Sequence, residues 1–426
     1  MQRSKGGCGL LLSAVVWAAI SLNCADQAFS QATLWRDQKA KCESLIENFR
    51  YREALPIAKQ CVEIARANFP AESAEMGDSL HNLANALTAL VRCVEAEPLA
   101  KRALFIREKV RGKMHPQYAE SLSALAKAYR QLGYLRKAKG LLQQAVAIRE
   151  RIPGDRSREL VFALCELGNV CCRLDQHETA LGLFVRARAI MSRNGGKDHP
   201  GIAQPLQGIA IVHHSRGEYD RALELCHEAL EIAVKKYGRN HPEVAMALLF
   251  VGICNADQGK FAESRKALQR ALEITEKTLG KDHPIVGKAL HSLGLAHYHQ
   301  WHDREAELLI RRALEIFINR APHDQQTIAV ILRDLAVTLH GQGKFAEAEP
   351  LLLRSLAIRE KAEGNRASRL ASTLEVLVEV YKRMGQTDKA NEFEQRLDTI
   401  RAKLKKQPKR GERQPKVPLP KKQPAM

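Results

Sequence analysis

The pentapeptide GKDHP stands at Gly196–Pro200 and again at Gly280–Pro284, with shorter echoes, MHP at Met114–Pro116 and NHP at Asn240–Pro242. A recurring Asp-His-Pro is either a chemical site or punctuation, and spacing decides between them. The prolines fall at 116, 200, 242 and 284, in steps of 84, 42 and 42 residues. A second column keeps the same step: Ala54, Ala96, Ala138, Ala180, Ala222, Ser264, Ala306, Ala348 and Ala390. A third is stricter, with Leu80, Leu122, Leu164, Leu206, Leu248, Leu290, Leu332 and Leu374. Self-similarity at a fixed period of this size is the signature of a repeat architecture.

Within a unit the apolar spacing is helical. Leu80, Leu83, Ala84 and Leu87 fall at i, i+3, i+4 and i+7 and share one face. Ala96, Leu99, Ala100 and Ala103 repeat the pattern for a second helix. Glycine stands between the two helices at Gly133, Gly217, Gly259, Gly343 and Gly385, where positive φ has no steric cost. His-Pro then opens the next unit, with proline at a first helical position whose N–H would be unpaired anyway. GKDHP therefore predicts an inter-unit turn. Small residues at Ala84, Ala126, Gly168, Ala210, Gly252, Gly294 and Ala336 let the paired helices approach. No pair can bury its face alone, so neighbours must stack on a shared core.

These columns resemble the tetratricopeptide repeat. The 42-residue period, with EAEPLAKRALFIREK at Glu95–Lys109 and EAEPLLLRSLAIREK at Glu347–Lys361, is similar to the kinesin-light-chain type. The resemblance runs from about Leu34 to Leu404 and implies an all-α, right-handed α-solenoid of stacked antiparallel helix pairs, a TPR superhelix. The expected organisation is a signal peptide over 1–32, a solenoid over 33–404 with about eight full repeats after a partial one, and a disordered tail over 405–426. Departures from the pattern are Asp175 and Trp301 in place of the turn glycine, a turn at Gln325 without His-Pro, Pro205 at a helix start, and Val378 in the last unit's small-residue column.

The two ends differ from the solenoid in composition. Arg3 and Lys5 precede an apolar run, Leu10–Leu22, of the length of a signal-peptide core and short for a span of ~20 residues. Cleavage is expected after Ala25 or Ala32, which predicts export to the periplasm or beyond; a cytoplasmic location is the alternative. Arg401–Met426 holds ten Lys or Arg against one Glu, with five prolines, and contributes nine of the chain's +19 net charges. Such a segment cannot bury enough surface to order itself, and its charge suits an anionic surface or polymer such as nucleic acid, lipid headgroups or envelope polymer. Cys42, Cys61, Cys171 and Cys226 occupy core columns and read as small buried residues.

No phosphate loop, catalytic triad or zinc-like cysteine spacing occurs in the sequence, and the histidines follow the repeat register; no enzyme, cofactor or metal is expected. The resemblance implies that the first helix of each pair lines a concave groove. The residues just off the core stripe are expected to face it: His81, Ser123, Cys165, His291 and Arg333 in one column, Asn85, Lys127, Asn169 and Ile253 in another, with Tyr298 and His340 further along. In peptide-binding members Asn and Lys or Arg from successive first helices clamp a ligand's backbone or carboxylate; Asn85, Lys127 and Asn169 occupy matching places. Of the paired asparagines usual in the kinesin-light-chain type, Asn82 alone fits. The central units turn apolar, at Met246, Leu249, Phe250 and Ile253. The function expected is a non-catalytic scaffold that binds a peptide or partner helix in the groove, with no small-molecule substrate. The alternative is anionic-surface binding through the tail.

Overall fold

A computed structural model describes residues 30–152, 158–196, 199–361 and 367–406. The apolar run Leu10–Leu22, nearly all of the basic tail and Lys197–Asp198 of the first GKDHP lie outside the described residues. The chain is a succession of helix pairs, with no strand among the described residues. Helix α1 spans 30–47. It is followed by α2 (Tyr51–Asn68), α3 (Ala74–Ala89), α4 (Cys93–Arg111), α5 (Pro116–Gln131), α6 (Leu135–Glu150), α7 (Arg158–Arg173), α8 (His177–Gly195) and α9 (Ala203–Ser215). Then come α10 (Tyr219–Tyr237), α11 (Pro242–Asp257), α12 (Phe261–Leu279), α13 (Pro284–Tyr298) and α14 (Asp303–Arg320). The last are α15 (Gln325–Gly341), α16 (Phe345–Lys361), α17 (Ala367–Arg383) and α18 (Thr387–Lys406). Odd-numbered helices are the first of each pair. No described helix is long and apolar enough to cross a membrane.

The second-helix alanine column is sealed. Ala54, Ala96, Ala138, Ala180, Ala222, Ser264, Ala306 and Ala348 are each 0% exposed, and Ala390 is 1%. The glycines of the first-helix column face bulk in the partner helix. A Cβ on Gly168 would meet the Phe184 ring at 2.6 Å, one on Gly252 would meet Leu268 at 2.5 Å, and one on Gly294 would meet Ile310 at 2.6 Å. The column alternates small and large across each pair, which is how a core reaches interior packing density. Cys42, Cys61, Cys171 and Cys226 are buried in the expected columns.

Every turn inside a pair bends through the left-handed region, whether or not glycine is there. Gly133, Gly217, Gly259, Gly343 and Gly385 have φ between 71° and 85°, and Phe49, Val91, Asp175 and Trp301 adopt 60°, 63°, 63° and 65° at the same register. Backbone bonds hold that bend in both cases: Tyr134 N–H donates to Tyr129 O at 2.8 Å, and His302 N–H to His297 O at 3.1 Å. Tertiary stacking therefore imposes a conformation that Val91 and Trp301 disfavour by roughly 1–2 kcal/mol each.

The histidine of His-Pro has its own task. Its Nδ1 accepts the backbone N–H two residues on: Gln117 N–H to His115 at 3.2 Å, Gly201 to His199 at 3.0 Å, Glu243 to His241 at 3.2 Å and Ile285 to His283 at 3.1 Å. Proline removes one orphan donor of the first turn and histidine satisfies another. Pro205 fits a shortened helix: a 3-10 turn at Pro200–Ile202 precedes α9, which starts only at Ala203.

The chain divides into two compact units, one ending at Ala124 and the other beginning at Leu125. In the first unit the core joins Trp35, Cys42 and Ala58 to Met76, Leu80, Leu83, Leu87 and Ile106. Arg107, 4% exposed, donates from Nη2 to Asp78 Oδ1 at 2.8 Å and from Nη1 to Gln117 O at 2.9 Å and Ser121 Oγ at 3.0 Å. Its guanidinium thus ties α4 to α3 and to the start of α5. Arg359 repeats the device 252 residues later, bonding to Arg369 O at the head of α17.

Candidate functional site

In the second unit turns far apart in sequence come together. The turn before α15 meets the turn after α5: a Cβ on Gly133 would lie 3.5 Å from His323 O. Beside it Arg173, the last residue of α7, donates to Asp324 Oδ1 at 3.1 Å and to Arg130 O at 3.1 Å. Asp324 is also the N-cap of α15, accepting from Thr327 Oγ1 at 2.9 Å. One winding of the unit thus runs from α5 to α15 and closes on itself through a cap.

Two columns of the first helices, seven residues apart, are not fully buried. Asn169, Ile211, Ile253 and Leu295 are half-buried in one, and Phe162, Gln204 and Met246 in the other, where Lys288 is exposed. A third column, expected to face the groove, is buried over much of its length, with His291 and Arg333 half-buried. Cys165 is 0% exposed, Ser123 8%, Gln207 8% and Leu249 3%. The physical reason is the close approach of neighbouring first helices, which close over this column. His291 on α13 reaches Asp334 on α15 at 2.9 Å, and in the first unit His81 lies 3.4 Å from Ser121 Oγ on α5. Tyr298 also departs from expectation: it is 2% exposed, its ring lies in the core with Ile310 and Leu339, and its hydroxyl has no hydrogen bond among the described residues.

The residues singled out from sequence are therefore distributed as follows. Asn82 and Asn85 belong to the first unit. Asn82 is 5% exposed and donates to Glu43 Oε1 at 3.3 Å, while half-buried Asn85 lies 2.9 Å from His81 Nε2. In the second unit Lys127 and Asn169 are half-buried on the open column, as are Met246, Phe250 and Ile253 around α11. Leu249 belongs to the core with Leu268 and Leu290.

The charges of these helices were missed by reading columns alone. Glu243, at the head of α11, has no hydrogen-bonded side-chain partner among the described residues, and burial raises its pKa against the pull of Arg158, Lys127 and Lys236. Among the described residues Lys288 on α13 makes no side-chain hydrogen bond or ion pair, and it is exposed. Protein around it lowers its pKa by desolvation; Asp324 opposes this and Arg130 and Arg173 add to it. Arg130, by contrast, is paired with Glu166 at 3.1 Å. Asp334 is held at about 2: burial raises its pKa, but Arg333 and His291 outweigh burial. The column of Lys288 is mixed, with Asp78, Glu120, Phe162, Gln204, Met246 and Val330, so the repeat gave no signal for a charge there. Among the described residues no three His, Cys, Asp or Glu side chains gather to hold a metal ion.

A tetratricopeptide repeat family model matches residues 75–151, 159–225, 206–264, 246–319 and 327–397. Among solved structures the chain is similar to a Rap protein complexed with Competence and Sporulation Factor, at 15% identity over 88% of this chain and 100% of that one, with a TM-score of 0.61. The apo form of the quorum sensor NprR from B. thuringiensis matches at 14% identity over 86% of this chain and 98% of that one, with a TM-score of 0.55. A kinesin light chain TPR-like repeat protein of Podosopora anserina is 25% identical over 47% of this chain and 96% of its own, at a TM-score of 0.39. No curated protein matches the chain. Most of the 426 residues thus fall under one family model, and the chain belongs to the tetratricopeptide repeat family, a scaffold for protein–protein interaction.

Proposed function

We propose that the second unit holds an extended peptide along the inner columns of α7 to α13. One observation carries the reading: Met246, Phe250 and Ile253, at i, i+4 and i+7 of α11, form an apolar stripe on a first helix that is only half-buried. A contiguous apolar stripe left partly open to water is surface that a ligand can cover. The groove is preformed by stacking, so ordering costs fall on the ligand alone. A short peptide held this way is expected at micromolar affinity, roughly −8 kcal/mol. The fold shared with the Rap protein, solved as a complex, supports a ligand-holding scaffold; the chemistry of the ligand is left to the residues of this chain.

Panning a random heptapeptide library on the immobilised full chain tests this. Enriched peptides should lose at least about tenfold in retention with Phe250→Lys, because one buried aromatic contributes about 1.5–3 kcal/mol. Leu308→Lys, at a position 70% exposed on α14, should leave retention unchanged. Absence of enrichment, or equal loss in both variants, contradicts the proposal.

A second reading rests on the ten basic residues of Arg401–Met426. Anionic-polymer binding through them would disappear on their removal and weaken steeply with salt, while peptide retention would not change. Export also stands as a proposal. N-terminal sequencing of the native protein should start at Asp26 or Thr33, and a start at Met1 would contradict it.

A further inference from the structure

Arg107 and Arg359 stand at the same register of the repeat, but their guanidinium groups are partnered differently. Every arm of Arg107 is in use: Nε and Nη2 donate to Asp78 Oδ1 at 3.2 and 2.8 Å, Nη1 donates to Gln117 O and Ser121 Oγ, and Glu120 lies 3.5 Å away. Beside Arg359 the registers of Asp78 and Glu120 are held by Val330 and Ser372, so both carboxylates are replaced by uncharged residues. Arg359 is 8% exposed, yet among the described residues only its Nη1 is bonded, to Arg369 O and to Ser372 Oγ at 3.5 Å. Its Nε and Nη2, the pair that grips a carboxylate in the first unit, have no acceptor among the described residues. Asp334 does not supply one, being held by His291 at 2.9 Å and by Arg333 Nε at 2.8 Å. Arg333, at the register of His81, instead brings a second guanidinium, with Nη1 3.4 Å from the same Ser372 Oγ. Burial, and then Arg333, push the pKa of Arg359 down to about 10 against the pull of Asp334.

We propose that Arg359, Arg333 and Ser372 form a site for one phosphate-class oxyanion at the junction of α15, α16 and α17. Two guanidinium groups drawn to within 3.5 Å of one hydroxyl repel each other. A shared anion removes that repulsion and gives acceptors to the unbonded donors of a buried charge. A carboxylate would satisfy the planar fork of Arg359 alone, leaving Arg333 Nη1 and the Ser372 hydroxyl, which come from other helices. A tetrahedral oxyanion has the third oxygen they need. The Ser372 proton, donated to Arg369 O at 2.9 Å, can turn to that oxygen. Arg359 belongs to a second helix, outside the columns of the peptide reading, so the two proposals stand or fall separately.

Equilibrium dialysis of the full chain against labelled inorganic phosphate, with sodium chloride holding the ionic strength constant, tests the site. One saturable phosphate per chain is expected. Arg333→Gln should weaken it at least about tenfold, the loss of one charge-assisted bond. Ser372→Glu restores the acid of the first unit, so it should abolish the binding and raise the thermal midpoint in phosphate-free buffer. Lys382→Gln, at an exposed position of α17, should leave binding unchanged. Arg359→Met removes the fork itself and should abolish binding; if thermal melts show that it does not fold, the Arg333 and Ser372 variants decide. O-phosphoserine in place of phosphate separates the two sources. Tighter binding than phosphate makes the ligand a phosphoryl group carried on another molecule, and weaker binding makes it the free ion. No saturable binding by the wild type, or undiminished binding by both Arg333→Gln and Ser372→Glu, overturns the site.

Discussion

The junction before α13 and the junction before α15 occupy equivalent places in the repeat, yet they are built differently. At the first, His283 caps the helix with its own ring, accepting Ile285 N–H at 3.1 Å, and Pro284 follows. At the second, Asp324 caps α15, and Gln325 and Gln326 stand in the register positions of His283 and Pro284. The His-Pro cap is satisfied within its own turn, as a separator should be. The aspartate keeps a negative charge with acceptor capacity to spare, and that charge reaches Arg173 across 151 positions of sequence. A break in the repeat pattern thus marks where the winding meets itself.

The largest effect comes from breaking the framework that both junctions stand on. Gly252→Leu drives a side chain into Leu268 and the Ser264 carbonyl. It should destabilise the chain by at least about 1–3 kcal/mol, read as a lowered urea midpoint.

The comparison itself is tested next by Asp324→Ala beside His283→Ala. Each removes a cap worth about 1 kcal/mol. Only Asp324→Ala should also speed hydrogen exchange at the end of α7 and the turn after α5; equal exchange there in the two variants would sink the closure argument.

Trp301 sharpens the contrast between junctions and turns. It is 54% exposed and holds φ at 65°. Trp301→Gly should stabilise by about 0.5–1 kcal/mol, the relief of left-handed strain less the added freedom of the unfolded chain. A lowered melting temperature would mean that the indole contributes packing at that site.

The smallest effect separates the caps by pH. Burial, with Lys236 nearby, lowers the pKa of His241 below its ordinary 6.5. A folded-state pKa below the unfolded one means that stability is present above about pH 6.5 and is lost as pH falls through the folded value. His241→Asn keeps a capping acceptor and should make the loss between pH 7 and 5 shallower. An unchanged slope would remove the cap from the account.

How much of this was legible follows from what repeats. The columns at Ala54 and Leu80 disclosed the helices, their pairing and the core, because stacking imposes the same steric demand in each unit. His-Pro was legible as a turn but not as a cap, since which ring nitrogen bonds depends on local geometry. The groove was only partly legible. A helix face can be inferred from spacing, but how far the next first helix closes over it cannot, and so Cys165 and Tyr298 proved buried while Met246 and Ile253 are half-buried. The Arg173–Asp324 contact lay beyond sequence reasoning, because nothing in a single unit states how many units complete a winding.

The central claim is that the half-buried inner columns of the second unit are where the ligand lies. Hydrogen exchange on the full chain, with and without its best-enriched peptide, tests it most directly. The account predicts slower exchange in 246–253 of α11 and 288–295 of α13, with α12 and α14 unchanged. Protection confined to α12 and α14, or none anywhere at saturating peptide, would contradict it.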